Sequence, residues 1–108
     1  MKIAVTATEP RPDAEVDPRF GRAACFVIHD TETNTSTVLD NAASVQASHG
    51  AGTQAAQRVA QSGATVVLTG NCGPKASDAL AAAGVKVVEG CSGPIPDAIA
   101  AYLAEAGA

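Results

Sequence analysis

Residues 65–74 are Thr-Val-Val-Leu-Thr-Gly-Asn-Cys-Gly-Pro, and this stretch indicates the fold class. Its first half, residues 65–69, is a β-branched run between glycines, which is typical of a buried strand. Pro74 favours the first turn of a helix, because no intrahelical hydrogen bond needs its missing N–H there. We therefore predict a strand, then a helix over residues 74–83, then a second strand over residues 85–88. Such a unit places its two strands parallel through a right-handed crossover.

The rest of the chain extends this unit on both sides. Alternation around Ile3 and Val5 predicts a first strand, and two further apolar runs predict a hairpin. An Ala- and Gln-rich stretch with apolar residues at helical spacing ends before Ser62-Gly63, as a helix with a C-terminal glycine does. The additional predicted elements are strands over 2–7, 25–29 and 35–39, a helix over 52–61, and a helix from Ile95 or Pro96 to about Ala104.

The order βββαβαβα predicts an α/β fold with a mixed five-stranded sheet and about three helices. We expect one three-layer domain over residues 1–108. If the first three strands pair antiparallel in sequence, strands one, three, four and five run in the same direction. Their carboxyl ends then share one edge of the sheet, here called the carboxyl edge, which is where open α/β sheets bind ligands. Segments 8–24, 41–49, 70–73 and 89–94 meet there.

Composition restricts the partners of the chain. The 108 residues carry a net charge of −4, which argues against nonspecific binding to nucleic acid and against adhesion to an anionic membrane. No apolar run approaches the roughly 20 residues of a membrane span. Three cysteines cannot all pair within one chain, and the N-terminus enters a strand directly instead of showing a signal peptide. We therefore predict a cytoplasmic protein with reduced thiols.

The turn Asp17-Pro18-Arg19-Phe20-Gly21-Arg22 is the strongest functional signal. Its two guanidiniums could hold a large, weakly hydrated anion, with the apolar face of Phe20 beside them. Alternatively, Arg19 and Arg22 could form weak surface pairs with nearby acidic residues. The surrounding segment 8–24 is rich in prolines and charges, so we predict a mobile flap that offers little core burial.

Glycines open two of the predicted helices at the same edge. Gly50-Ala51-Gly52 and Gly73-Pro74 would let an anion approach free N–H groups at the positive end of a helix dipole. Lys75 could add a point charge, and His49 could donate a hydrogen bond or ligate a metal. The alternatives are that these glycines only form turns, that Lys75 is solvated and that His49 has no functional role.

Three cysteines lie near the same edge. Cys72 and Cys91 follow strands and carry thiolates, which are soft ligands. Cys25 begins the strand that segment 8–24 enters, so three thiolates could bind one metal–sulfur species. No CxxC motif is present, and small buried cysteines are the alternative. At the start of a helix beside Lys75, Cys72 should ionise most readily and react first with alkylating reagents. Because the spacing shows no dedicated ligand set, we favour noncovalent holding.

Four segments together resemble the dinitrogenase iron–molybdenum cofactor biosynthesis family. They are residues 17–23, 49–52, 69–74 and 83–87, and the resemblance covers nearly the whole chain. It implies a small ribonuclease-H-like domain that carries or inserts the iron–molybdenum cofactor or its precursors. The family also includes orange-protein-type carriers, which hold a molybdenum–copper sulfide cluster without being enzymes. The resemblance thus identifies the expected anion as a molybdenum-containing metal–sulfur cluster.

We therefore predict a non-enzymatic carrier of such a cluster, with a cluster donor or acceptor protein as a possible partner. The predicted cluster-binding residues are Arg19, Phe20, Arg22, His49, Gly50, Gly52, Asn71, Cys72, Gly73 and Lys75, and the candidate metal ligands are Cys72 and Cys91. A regulatory or scaffold domain that uses the same edge as a protein interface is the alternative. Two-metal nuclease chemistry needs carboxylates that the first strand, residues 2–7, lacks.

Overall fold

The computed structural model describes residues 1–41 and 51–106. Each predicted helix and strand is present, and most observed bounds fall within one or two residues of the prediction. Within the described part of the chain, no helix is long and apolar enough to cross a membrane. The elements are β1 (Lys2–Ala7), β2 (Cys25–Asp30), β3 (Thr35–Asp40), α1 (Ala51–Gln61), β4 (Val66–Leu68), α2 (Pro74–Ala82), β5 (Lys86–Val88) and α3 (Ile95–Ala106).

The five strands form one mixed sheet in the order β3-β2-β1-β4-β5. β2 pairs antiparallel with both β1 and β3, while β4 pairs parallel with β1 and β5. β1, β3, β4 and β5 therefore run in one direction, and the predicted α/β fold class is confirmed. The carboxyl edge is thus the end of the sheet at which these four strands finish.

Helices cover both faces of the sheet. On one face, α1 and α2 pack their small apolar residues against Phe26 and Val67. On the other face, α3 places Ile95 and Ile99 over Val5. Most of the buried apolar residues are alanines and valines, whose small side chains pack closely between the helices and the sheet.

Segment 8–24 differs from the predicted flap with little core burial. Ala14 and Val16 are buried, and Val16 forms an isolated antiparallel bridge with Ala7. The N–H of Val16 also donates to the Gly93 carbonyl at 2.9 Å, and the N–H of Ile95 donates to the Ala14 carbonyl at 2.9 Å. The prediction was wrong because alternate small apolar side chains insert into the core between the exposed prolines and charges.

Candidate functional site

The Arg19 turn is joined to the loop after β4 by backbone hydrogen bonds. The N–H of Asn71 donates to the Pro18 carbonyl at 2.8 Å, and the N–H of Phe20 donates to the Asn71 carbonyl at 3.0 Å. Arg19 and Asn71 thereby form an isolated parallel bridge. The structure confirms that two distant segments of the sequence meet at the carboxyl edge.

Gly70 makes this contact possible. A Cβ atom built on Gly70 would lie 2.6 Å from the Cα and 2.8 Å from the carbonyl oxygen of Pro18. Both neighbouring atoms belong to the backbone, so neither can move aside by a side-chain rotation. Only glycine therefore allows the loop after β4 to approach the Arg19 turn this closely.

A buried polar network fixes the start of the turn to the sheet. The hydroxyl of Thr6 donates to the Asp17 carbonyl at 2.7 Å and lies 3.0 Å from the Thr69 hydroxyl. The Asp17 carboxylate in turn accepts the backbone N–H of Arg19 at 2.9 Å. Thr6 and Thr69 are fully buried, and Asp17 is buried as well, so these bonds hold the turn in a defined position.

The side chain of Arg19 remains largely in solvent. Its Nε lies 3.8 Å from Asp17 Oδ1, and 68% of the side chain is exposed. At this distance the ion pair is weak, as in the surface pairing that was the alternative interpretation of the sequence. Few contacts therefore fix the orientation of the Arg19 guanidinium. The Arg19 guanidinium is therefore accessible to an incoming anion. Arg22 is also exposed.

Phe20 differs from its predicted position. The ring is 1% exposed and packs against Phe26 with ring centroids 5.3 Å apart. Its apolar face is therefore part of the core and does not lie beside the guanidiniums. The alternation within the turn explains the difference, because the residue between two exposed arginines points into the protein.

The N-termini of α1 and α2 adjoin at the same edge. A Cβ atom on Gly52, at the start of α1, would lie 3.2 Å from the Cβ of Ala76 in the first turn of α2. Lys75 is exposed in that first turn. The first N–H groups of a helix have no intrahelical partner, so two positive helix ends and a lysine meet next to the Arg19 turn.

Two N–H groups of the loop before α2 donate hydrogen bonds to side chains. Gly73 has φ 81° and ψ 158°, a conformation that is essentially restricted to glycine. Its N–H donates to Asn71 Oδ1 at 3.1 Å. The N–H of Cys72 donates to Glu89 Oε2 at 2.8 Å, which brings a carboxylate from the loop after β5 into the site.

The thiol of Cys72 is in a different state from the one predicted. Burial, and secondly the Glu89 carboxylate, raise the pKa of Cys72 to about 11. Its side chain packs in the core with Phe20 and Ala76. The prediction that the helix dipole and Lys75 make Cys72 ionise readily is therefore wrong, because desolvation and a nearby negative charge both disfavour the thiolate.

The three thiols do not converge. Cys72 lies in the core on the α1 and α2 face of the sheet, whereas Cys25 and Cys91 pack on the α3 face. Burial also raises the pKa of Cys25 and of Cys91. Among residues 1–41 and 51–106, no three His, Cys, Asp or Glu side chains are grouped as a metal site. The hypothesis that the three thiolates bind one metal–sulfur species is therefore wrong.

A profile of the dinitrogenase iron–molybdenum cofactor family matches residues 1–105. The chain belongs to this family. The apo form of the orange protein from Desulfovibrio gigas superposes with a TM-score of 0.94 at 51% identity, over 96% of this chain and 88% of that protein. A NifB-like protein of the DUF35 family from Thermotoga gives a TM-score of 0.80 at 32% identity, over 94% of this chain and 85% of that protein.

A further relative is an uncharacterised protein of Methanocaldococcus jannaschii. It is 29% identical over 106 residues, which cover 95% of this chain and 86% of the relative. Together with the structural neighbours, this match supports the family assignment over almost the full chain. The sequence resemblance to the iron–molybdenum cofactor family is therefore confirmed.

Most of the residues predicted for the site lie at the carboxyl edge, and Glu89 is a charged residue there that was not predicted. Arg19, Asn71, Gly73, Lys75 and Gly52 lie at the carboxyl edge as expected, and Arg22 belongs to the same turn. The predicted roles of His49 and Gly50 concern positions outside the described residues. Glu89 could have been found from its position, because it directly follows the predicted strand over residues 85–88 and therefore lies at the carboxyl edge.

The state of the thiols predicts an order of alkylation opposite to the sequence-based one. Cys91 is half-buried, whereas Cys25 and Cys72 are buried. With a pKa of about 11, only about one in a thousand Cys72 thiols is ionised at pH 8. Iodoacetamide at pH 8 should label Cys91 first, as peptide mass spectrometry would show. Faster labelling of Cys72 would contradict the burial and charge described here.

Proposed function

We propose that this protein is a non-enzymatic carrier that binds an anionic molybdenum-containing metal–sulfur cluster at the carboxyl edge. The observation that carries the proposal is the meeting of the Arg19 turn with the adjoining N-termini of α1 and α2, through the Arg19–Asn71 bridge and the Gly52–Ala76 contact. Two guanidiniums, two positive helix ends and Lys75 supply local positive charge in a chain of net charge −4. This arrangement favours a compact anion over an extended one.

Family membership supports the identity of the anion. The family description names the dinitrogenase iron–molybdenum cofactor, and the orange protein is 51% identical. Both an iron–molybdenum–sulfur cluster and a molybdenum–copper sulfide cluster have the required charge and weak hydration. Guanidinium groups are themselves weakly hydrated, so they are suited to sulfide-rich surfaces.

Noncovalent binding fits the described thiols better than ligation does. Cys72 is buried with a raised pKa. Cys91 lines a cleft of about 520 Å³ between β5 and α3, together with the carboxylates of Glu89, Asp97 and Glu105. Negative charge around Cys91 disfavours an anionic cluster in that cleft. The carrier would therefore hold its cluster through charge and hydrogen bonds at the Arg19 turn and the helix N-termini, outside that cleft.

Tetrathiomolybdate, a tetrahedral dianion of molybdenum and sulfide, is a probe for this function. We expect saturable binding by absorption titration or equilibrium dialysis, and affinity that falls between 50 and 500 mM salt because screening weakens charge attraction. Molybdate has the same shape and charge but a strongly hydrated oxygen surface, and it should bind at least about tenfold more weakly. Equal affinity for the two anions, or no binding of either, would contradict the carrier proposal.

A further inference from the structure

Glu89 brings a negative charge from the loop after β5 to the loop that opens α2. Its Oε2 accepts the backbone N–H of Cys72 at 2.8 Å. That N–H lies in the loop that opens α2, directly after Asn71, which pairs with Arg19. A carboxylate is itself an anion, so Glu89 interacts with this loop in the way that a bound anion would.

The backbone on both sides of Glu89 is fixed. The N–H of Thr69 donates to the Val88 carbonyl at 3.0 Å, and the N–H of Gly90 donates to the Gly70 carbonyl at 2.9 Å. The loops after β4 and β5 are thereby held together. Glu89 itself is exposed, so its carboxylate can leave the Cys72 N–H by side-chain rotation alone, without movement of either loop.

We propose that Glu89 is a gating residue of the anion site: its carboxylate competes with an anionic cluster for the Cys72 N–H and rotates away when the cluster binds. The inference rests on the proposed function, since the competing anion is the molybdenum–sulfur cluster. Repulsion between the carboxylate and the cluster lowers affinity. When the cluster leaves, the carboxylate returns, so the Cys72 N–H again has a hydrogen-bond acceptor. Such an exchange suits a carrier, because it eases release to an acceptor.

Two substitutions separate the charge of Glu89 from its hydrogen bond. Glu89→Gln removes the charge but keeps an acceptor oxygen, and Glu89→Ala removes both. We expect each variant to bind tetrathiomolybdate about tenfold more tightly than the wild type. The matched control is Glu105→Gln, which removes one unit of negative charge from an exposed residue of α3 in the same cleft. This control should change the affinity less than twofold.

A second readout follows the donor itself. At one equivalent of tetrathiomolybdate, the Cys72 amide resonance of the wild type should lie close to that of ligand-bound Glu89→Ala, because Glu89 accepts this N–H in neither protein. The wild-type shift on binding should therefore equal the shift measured in Glu89→Ala plus the difference between the two free proteins. Wild-type binding with no gain in either Glu89 variant, or an equal gain in Glu105→Gln, would overturn the gate while leaving the carrier proposal intact. Absence of binding in all four proteins would overturn both.

Discussion

Replacing Arg19 and Arg22 together by alanine should weaken tetrathiomolybdate binding at least about 100-fold. A hydrogen bond to a charged group contributes about 1.5–3 kcal/mol, so the loss of two guanidiniums removes about 3 kcal/mol or more, and each 1.4 kcal/mol corresponds to a factor of ten. Both side chains are exposed, so no cavity opens. The free energy of unfolding should change by less than about 1 kcal/mol.

Arg11→Ala is the matched control for this pair. Arg11 belongs to the same segment and is exposed, but it forms ion pairs with Glu9 at 2.9 Å and Asp13 at 3.8 Å, away from the Arg19–Asn71 bridge. Its removal changes the net charge by the same unit as either single arginine variant. Equal losses for Arg11→Ala and Arg19→Ala would show that overall charge, and not the turn, attracts the anion.

Substituting Gly70 by alanine should damage stability and binding together. The new Cβ would lie 2.6 Å from the backbone of Pro18, so the Arg19 turn and the loop after β4 must separate. Forced overlap of this kind costs about 3 kcal/mol, which corresponds to a fall in Tm of roughly 10–20 °C for a domain of this size. Because the separation breaks the Arg19–Asn71 bridge, we expect tetrathiomolybdate affinity to fall more than tenfold in the remaining folded protein.

Gly84→Ala is the control for the loss of a glycine. Gly84 has φ 78° and no atom within 4 Å of the new Cβ, so alanine there suffers backbone strain without a clash. This strain costs about 1–2 kcal/mol, and the position follows α2 at the end opposite the site. Binding should be unchanged in Gly84→Ala. A Tm for Gly70→Ala equal to or above that of Gly84→Ala would contradict the close contact between the two loops.

The sequence predicted the parts of the fold that depend on periodic patterns. The β-branched run before Gly70 and the proline at position 74 correctly predicted β4 and α2, and the strand directions correctly predicted the shared carboxyl edge. The sequence alone therefore placed the Arg19 turn and the loop after β4 at the same edge of the sheet. Physical rules on strand direction and crossover handedness suffice for this step.

Burial at single positions could not be predicted from the same patterns. Phe20 stands between two exposed arginines, yet its ring packs on Phe26. Cys72 stands at a helix start, yet burial and Glu89 outweigh the dipole. Phe20 packs on a ring of the nearby strand β2, whereas Cys72 is desolvated by the core, with the Glu89 carboxylate of the loop after β5 as the second cause. Segment 8–24 shows the same effect, because its composition resembles a flap while Val16 pairs with Ala7.

The position of the bound anion on the protein distinguishes a site at the carboxyl edge from a site elsewhere. In a tetrathiomolybdate titration of the wild-type protein followed by amide NMR, we expect the largest shifts in residues 18–22, 51–53 and 70–76. The opposite edge, including the β2–β3 turn at residues 31–34, should be unaffected. The largest shifts at that opposite edge, or in the acidic cleft around Asp97 and Tyr102, would contradict an anion site built from the Arg19 turn and the two helix N-termini.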